Sequence, residues 1–254
     1  MRLAWWSSLL LSAGLLAGCF PRSDPSQAVP TAFVKAPQEA RRLVVVLPGR
    51  ADDLRALRES GIAQAVQAAW PDADVVLTGL DLGHYLEGVA ERKLHEEIIV
   101  PARQRSYAQV WLVGASLGGM GSIMYQRAYP GEVTGMVLLA PYLGDEPMLA
   151  RIRAAGGVAS WEPPPKPPSV RRSNFQVELW RHVQSWTRAP DAASKVWLAY
   201  GRKDHFRNAM PLLAAVLPPQ QVLVRGGGHD WGVWSPVTRE VLSQIDRQQR
   251  ASAD

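Results

Sequence analysis

The chain has a single cysteine, Cys19, among 254 residues. One cysteine excludes an intramolecular disulfide framework. Its histidines number five, and none falls at the spacing of a metal-ligand set. No glycine-rich loop has the pattern that cradles phosphate, so neither a metal nor an organic cofactor is expected. There is no internal repeat, which argues against a solenoid or propeller. Beyond the first 18 residues no apolar run is long enough to span a bilayer. Basic residues form no block: the net charge of +5 is spread along the chain. It reads as a slightly basic surface, with anionic lipid or an anionic substrate as the other reading, and no nucleic-acid partner is expected.

Hydrophobic residues make up 47% of the sequence and charged residues 20%, enough for one sizeable core. The first 18 residues, MRLAWWSSLLLSAGLLAG, pair Arg2 with an apolar run and small residues. This is the layout of a secretory signal. Leu16-Ala17-Gly18-Cys19 resembles the lipobox of bacterial lipoproteins, in which the cysteine is lipidated and becomes the first residue after cleavage. Phe20 is not the aspartate that resembles an inner-membrane retention signal. The expected address is therefore the bacterial envelope, anchored through Cys19 in the outer membrane and facing the periplasm. Residues 19–42 are rich in Pro, Ser and Ala without periodicity and read as a tether.

From residue 43 onward two textures alternate. Short β-branched or apolar runs suggest strands at LVVVL (43–47), 74–78, AQVWLVG (108–114), EVTGMVLLAP (132–141), KVWLAYG (195–201) and QQVLVRG (220–226). Amphipathic helical stretches separate them, one beginning after a capping Asp52 or Asp53 and another holding Pro101 near a break. Near-continuous apolar strands alternating with helices predict an α/β domain over 43–250, with a mostly parallel sheet covered on both faces. Residues 141–190 interrupt the rhythm with WEPPPKPP and a Trp-bearing helix. An insertion there reads as a small cap over the carboxyl edge of the sheet.

Gly114-Ala115-Ser116-Leu117-Gly118 matches G-x-S-x-G between a strand and a helix. In that setting a serine sits on a sharp turn with its hydroxyl exposed above the sheet, and it needs a base. His84 and His95 precede it, with His95 inside a charged helix and read as solvated. His182 lies in the cap, and His205 follows Asp204. His229, in GGGHDW after the last strand, is the best-placed base. Its carboxylate partner is Asp204 in YGRKDHF, with Asp145 in PYLGDEP as the rival. Asp230 would point the wrong way. Leu117 N–H, at the start of the helix, is one oxyanion donor. Pro48 has no N–H, so the second donor falls to Arg50 N–H.

With GASLGG, GRKD and GGGHDW in the order Ser116, Asp204, His229, the sequence resembles the α/β-hydrolase family over residues 43–245. GGGHDW with Trp234 also looks like the ending of the small esterases related to esterase D. The resemblance implies a serine hydrolase acting on a carboxylic ester or related acyl bond through an acyl-enzyme. It also implies two strands before residue 43, where only the tether stands, so a truncated sheet is expected. Lipase, lysophospholipase, thioesterase and peptidase chemistry are rivals within the class. An envelope lipoprotein that uses the scaffold only for binding is the rival outside it. The partners expected are a small acyl ester or lipid substrate and the membrane. Trp231, Trp234 and the cap tryptophans suggest either an apolar acyl pocket or core. For the anchor, Cys19→Ser is expected to abolish incorporation of radiolabelled palmitate. Labelling that survives the substitution overturns it.

Overall fold

Each of the six apolar runs of the sequence contains a strand of one sheet, and a seventh strand stands where the sequence suggests none. The computed structural model describes residues 23–105 and 107–251. The N-terminal apolar segment and Cys19 lie outside the described residues. The strands are β1 Thr31–Val34, β2 Arg42–Leu47, β3 Ala73–Thr78, β4 Gln109–Ala115, β5 Gly135–Leu139, β6 Val196–Gly201 and β7 Val222–Arg225. They are ordered β1-β3-β2-β4-β5-β6-β7. Strands β2 to β7 run parallel, and β1 pairs antiparallel with β3, Thr31 opposite Thr78.

The strand β1 corrects the reading of residues 19–42 as tether throughout, and the sheet has one strand before β2 rather than none. The segment is four residues long, and only Ala32 of it is buried. It therefore carries too little alternation to be told from a linker by pattern.

Strand β2 shows why the apolar runs are continuous. Leu43, Val45 and Leu47 pack into one core layer, while Val44 and Val46 pack into the other. Successive side chains alternate between faces, so a strand covered on both sides must be apolar throughout. One layer holds α1 Leu54–Glu59 and α2 Ile62–Ala69. The sequence reads these as one helix, but they break at Gly61, whose φ is 75°. Asp53 caps α1, accepting from Ala56 N–H at 2.7 Å.

The opposite layer begins with α3 Leu82–Leu86, α4 Ala90–Leu94 and α5 Val100–Arg103. Between α4 and α5, His95–Ile99 form a π-helical turn. Pro101 supplies no N–H to the preceding turn and crowds its carbonyls, so the helix widens ahead of it. His95 is not solvated as expected. Its ring stacks on Tyr129 at 3.9 Å and its Nδ1 lies 3.1 Å from the Tyr125 hydroxyl.

Helix α6 Leu117–Ala128 follows β4. Between β5 and β6 come α7 Glu146–Ala154, α8 Phe175–Ser185 and α9 Pro190–Ala193. Residues 155–174 hold no helix or strand. Trp180 N–H donates to Leu143 O at 2.7 Å, and Gln184 Nε2 donates to Trp161 O at 2.6 Å. The carboxylate of Glu178, fully buried, accepts from Arg127 on α6 at 2.9 Å and from Arg181 at 3.0 Å. Burial alone would raise that acid, but hydrogen bonds from Arg181 and Arg127 outweigh it and hold the carboxyl below its ordinary range. Helices α10 Met210–Ala214 and α11 Trp231–Ala251 complete the fold, α11 in the layer of α1 and α2. No helix among the described residues is long and apolar enough to cross a membrane.

Leu112 of β4 is fully buried and pairs with Val45 on one side and Met136 on the other. Leu112→Ala is expected to cost about 2–5 kcal/mol, read from the urea unfolding midpoint. A loss below about 1 kcal/mol would contradict its central place.

Candidate active site

The two glycines flanking Ser116 decide how closely α6 approaches the sheet. A Cβ at Gly114 would overlap Gly118 O, and one at Gly118 would overlap Leu47 O. Without them the first turn of α6 sits directly against β4 and the loop after β2. Ser116 absorbs the resulting sharp bend at φ 51° and ψ −109°. A positive φ at a non-glycine residue costs about 1–3 kcal/mol and persists only where the surroundings impose it. Here Ser116 N–H donates to Leu139 O at 2.8 Å, and Ser116 O accepts from Tyr142 N–H at 2.9 Å. Helix α6 begins at the next residue. Leu117 N–H is therefore among the N-terminal amides that lack an acceptor within the helix.

Asp204 and His229 follow β6 and β7, on the same carboxyl edge of the parallel sheet as Ser116. Asp204 is fully buried. Its Oδ2 lies 2.8 Å from His229 Nδ1, and its Oδ1 accepts from Phe206 N–H at 2.7 Å. A carboxylate only accepts, so this contact puts the imidazole proton on Nδ1 and leaves Nε2 with its lone pair. Aromatic rings box the imidazole in. Trp234 meets it edge-on at 4.6 Å, Phe206 at 5.0 Å, and His205 lies 4.1 Å away. A Cβ at Gly201 would overlap the carbonyls of Gly227 and Gly228, so the strand ends of β6 and β7 can close only around glycine.

The rival acid is elsewhere. Asp145 is exposed and caps α7, accepting from Met148 N–H at 3.2 Å. Asp230 lies at the start of α11, where its backbone oxygen accepts from Val233 and Trp234 N–H. His182 bonds Gln126 at 2.9 Å, and burial pushes its pKa down to about 4.

The loop after β2 runs beside the serine. A Cβ at Gly49 would stand 3.7 Å from Ser116 Cβ. Arg50 follows as an exposed residue. Sequence reasoning assigned Asp52 only a possible cap, which belongs to Asp53. Instead, Asp52 Oδ2 accepts from Gly49 N–H at 2.9 Å, and Asp52 N–H donates to Gly49 O at 3.2 Å. The side chain thus closes the turn that carries Gly49 and Arg50. Burial raises its pKa, with Gly49 N–H acting the other way.

Asp204, His205 and His229 also bring ligand atoms within 4.8 Å of one another, a spacing compatible with a metal ion. No sequence spacing suggests this group, because His229 joins it only through the fold. Two of its three members are already bonded to each other.

A cavity of about 520 Å³ lies between α3, α6 and the segment before α8, with Leu117, the residue after Ser116, in its lining. Its walls include Leu82, Leu117, Met120, Met124 and Phe175. No tryptophan among the described residues lines it. Trp180 and Trp186, within the 141–190 insertion, are buried in one core layer, and Trp234 packs in the opposite one.

No protein-family model matches the sequence, and no curated protein matches it. Solved structures do match in shape. A ferulic acid esterase superposes with a TM-score of 0.57 at 14% identity, over 86% of this chain and 97% of that one. A monoacylglycerol lipase of Paleococcus ferrophilus gives 0.54 at 17% identity, over 86% and 99%. The chain has the α/β-hydrolase fold. An S-formylglutathione hydrolase of Staphylococcus aureus gives 0.56 at 11% identity, over 90% and 99%. On this hydrolase scaffold, the strained serine follows the fourth strand in sequence, and the Asp–His pair follows the sixth and seventh.

Asp52→Ala is expected to lower kcat/KM for a short ester about 100-fold, mainly through kcat, because the turn beside Ser116 loses its tie. Asp52→Asn keeps an acceptor oxygen and is expected to restore most of the rate. Equal activity of wild type and Asp52→Ala would show that the turn holds without it.

Proposed function

We propose that the chain is a serine hydrolase of the bacterial envelope, lipid-anchored through Cys19, that cleaves carboxylic esters. The observation that carries the reading is the buried Asp204–His229 contact at 2.8 Å, on the sheet edge that also bears the strained Ser116. The lipobox-like residues 16–19 support the anchor.

In this reading Ser116 Oγ attacks the ester carbonyl while His229 Nε2 takes its proton. Asp204 holds the Nδ1–H tautomer and stabilises the imidazolium that forms. The carbonyl oxygen becomes an oxyanion, received by the backbone N–H groups of Leu117 and Arg50. The tetrahedral intermediate collapses, and His229 returns the proton to the departing alcohol. An acyl group remains on Ser116. Water then attacks it, giving a proton to His229. The acid leaves and Ser116 recovers its hydrogen.

Ser116→Ala is expected to abolish both fluorophosphonate labelling and hydrolysis of para-nitrophenyl butyrate. Asp204→Asn is expected to lower kcat by about 10⁴-fold, because its amide favours the wrong tautomer of His229. Labelling of Ser116→Ala as strong as wild type sinks the reading.

A further inference from the structure

The sequence reads residues 23–30 as tether, yet they are fastened to the domain. Ser23 donates twice to the Asp81 carboxylate, from its N–H and from its hydroxyl, the latter at 2.9 Å. Lys93 Nζ donates to Gln27 O and to Glu97 Oε1, each at 2.6 Å. The other oxygen of Glu97 accepts from Val29 N–H at 2.7 Å. Pro30 O accepts from Gly79 N–H at 2.7 Å. Asp81 and Lys93 are both buried, and a buried charge needs its partners. Lifting the segment away would strip bonds from both, so it stays seated. The fastened chain begins at Ser23, beside the start of α3. Only four residue steps lie between Cys19 and Ser23, a reach of about 14 Å at most. A lipid on Cys19 therefore keeps its bilayer close against this side of the domain.

That side is also where the surface is apolar. Two large apolar side chains are exposed among the described residues, Phe33 at 50% and Val100 at 37%. Phe33 is on the edge strand β1, which directly follows the fastened segment, and pairs with Val76, five residues before Asp81. Val100 precedes Pro101. Phe33, Ile98, Pro101 and Arg105 line one groove of about 460 Å³, and so does Glu97, which holds Val29. Apolar side chains scattered singly over a surface mean nothing, but these two gather where the anchor arrives. Arg105 is exposed, with its guanidinium 5.8 Å from the centre of the Phe33 ring. A ring with a cation at its rim suits the boundary of a bilayer, where the ring enters the apolar layer and the cation stays with phosphate. We propose that the face bearing Phe33, Val100 and Arg105 rests on the phospholipid bilayer that holds the Cys19 lipid. The proposal rests on lipidation of Cys19. Residues 23–30 then act as a short strut that sets the orientation of the domain, rather than as a flexible leash.

The test places one nitroxide at a time on the full chain, purified from bacterial envelopes and set in vesicles of phosphatidylethanolamine and phosphatidylglycerol. Cys19 is the only cysteine, and the lipid takes its sulfur. Phe33→Cys, Val100→Cys or Gln220→Cys then supplies the one free thiol. All three replaced side chains are exposed, so the fold is not at stake. Gln220 stands just before β7, at the other edge of the sheet, about 29 Å from β1 by strand spacing. Spin relaxation is compared between dissolved oxygen, which concentrates in lipid, and a nickel chelate, which stays in water. The oxygen-to-nickel ratio is expected to be several-fold higher at 33 and at 100 than at 220. A ratio at 33 or at 100 no higher than at 220 overturns the proposal. So does dipolar broadening between labels at 33 or at 100, which would put a second copy of the chain on this face. Palmitate labelling of the same preparation reads the anchor separately. A chain that carries palmitate but keeps these labels in water loses this proposal alone. A chain without palmitate loses the anchor, and the proposal with it.

Discussion

The close seating of α6 on β4 and on the loop after β2 is the constraint from which the rest of the site follows. It exists because Gly114 and Gly118 present no Cβ to the carbonyls facing them. With the helix so near, the chain has little room to turn, and Ser116 takes a φ of 51°. The same seating brings the Gly49 loop beside the serine and leaves Leu117 N–H at an open helix end. The strained turn at Ser116, the open helix end at Leu117 and the nearness of the Gly49 loop are consequences of one packing contact rather than separate constructions.

The parallel sheet supplies the other half. Every connection from β2 onward returns to the same edge, so loops far apart in sequence meet above β4, β6 and β7. Asp204 is fully buried, yet both its carboxylate oxygens are engaged, one by Phe206 N–H and one by His229. A carboxylate so placed is held by two donors and orients the imidazole without a further partner. The rings of Trp234, Phe206 and His205 pack around the imidazole and restrict its rotation.

Much of this was legible in the sequence because burial on two faces writes itself as uninterrupted apolar runs. The runs at β2 to β7 are of that kind. Strand β1 is not, since an edge strand of four residues buries one side chain. The helix over residues 53–70 looked continuous because its apolar spacing carries across Gly61, and periodicity does not register one residue's positive φ. Ser116, Asp204 and His229 were readable because each follows a strand and glycines mark the turns at Ser116 and His229. Asp52 was not. Its contact depends on a loop closing on itself, which leaves no local pattern.

The pair Arg127–Glu178 joins α6 to the cap, and Arg127 also forms the far wall of the cavity. One guanidinium therefore touches both the closure and the space closed. Filling that space and fastening α6 to α8 are thus tasks of one side chain, so a change at Arg127 alters packing and closure together.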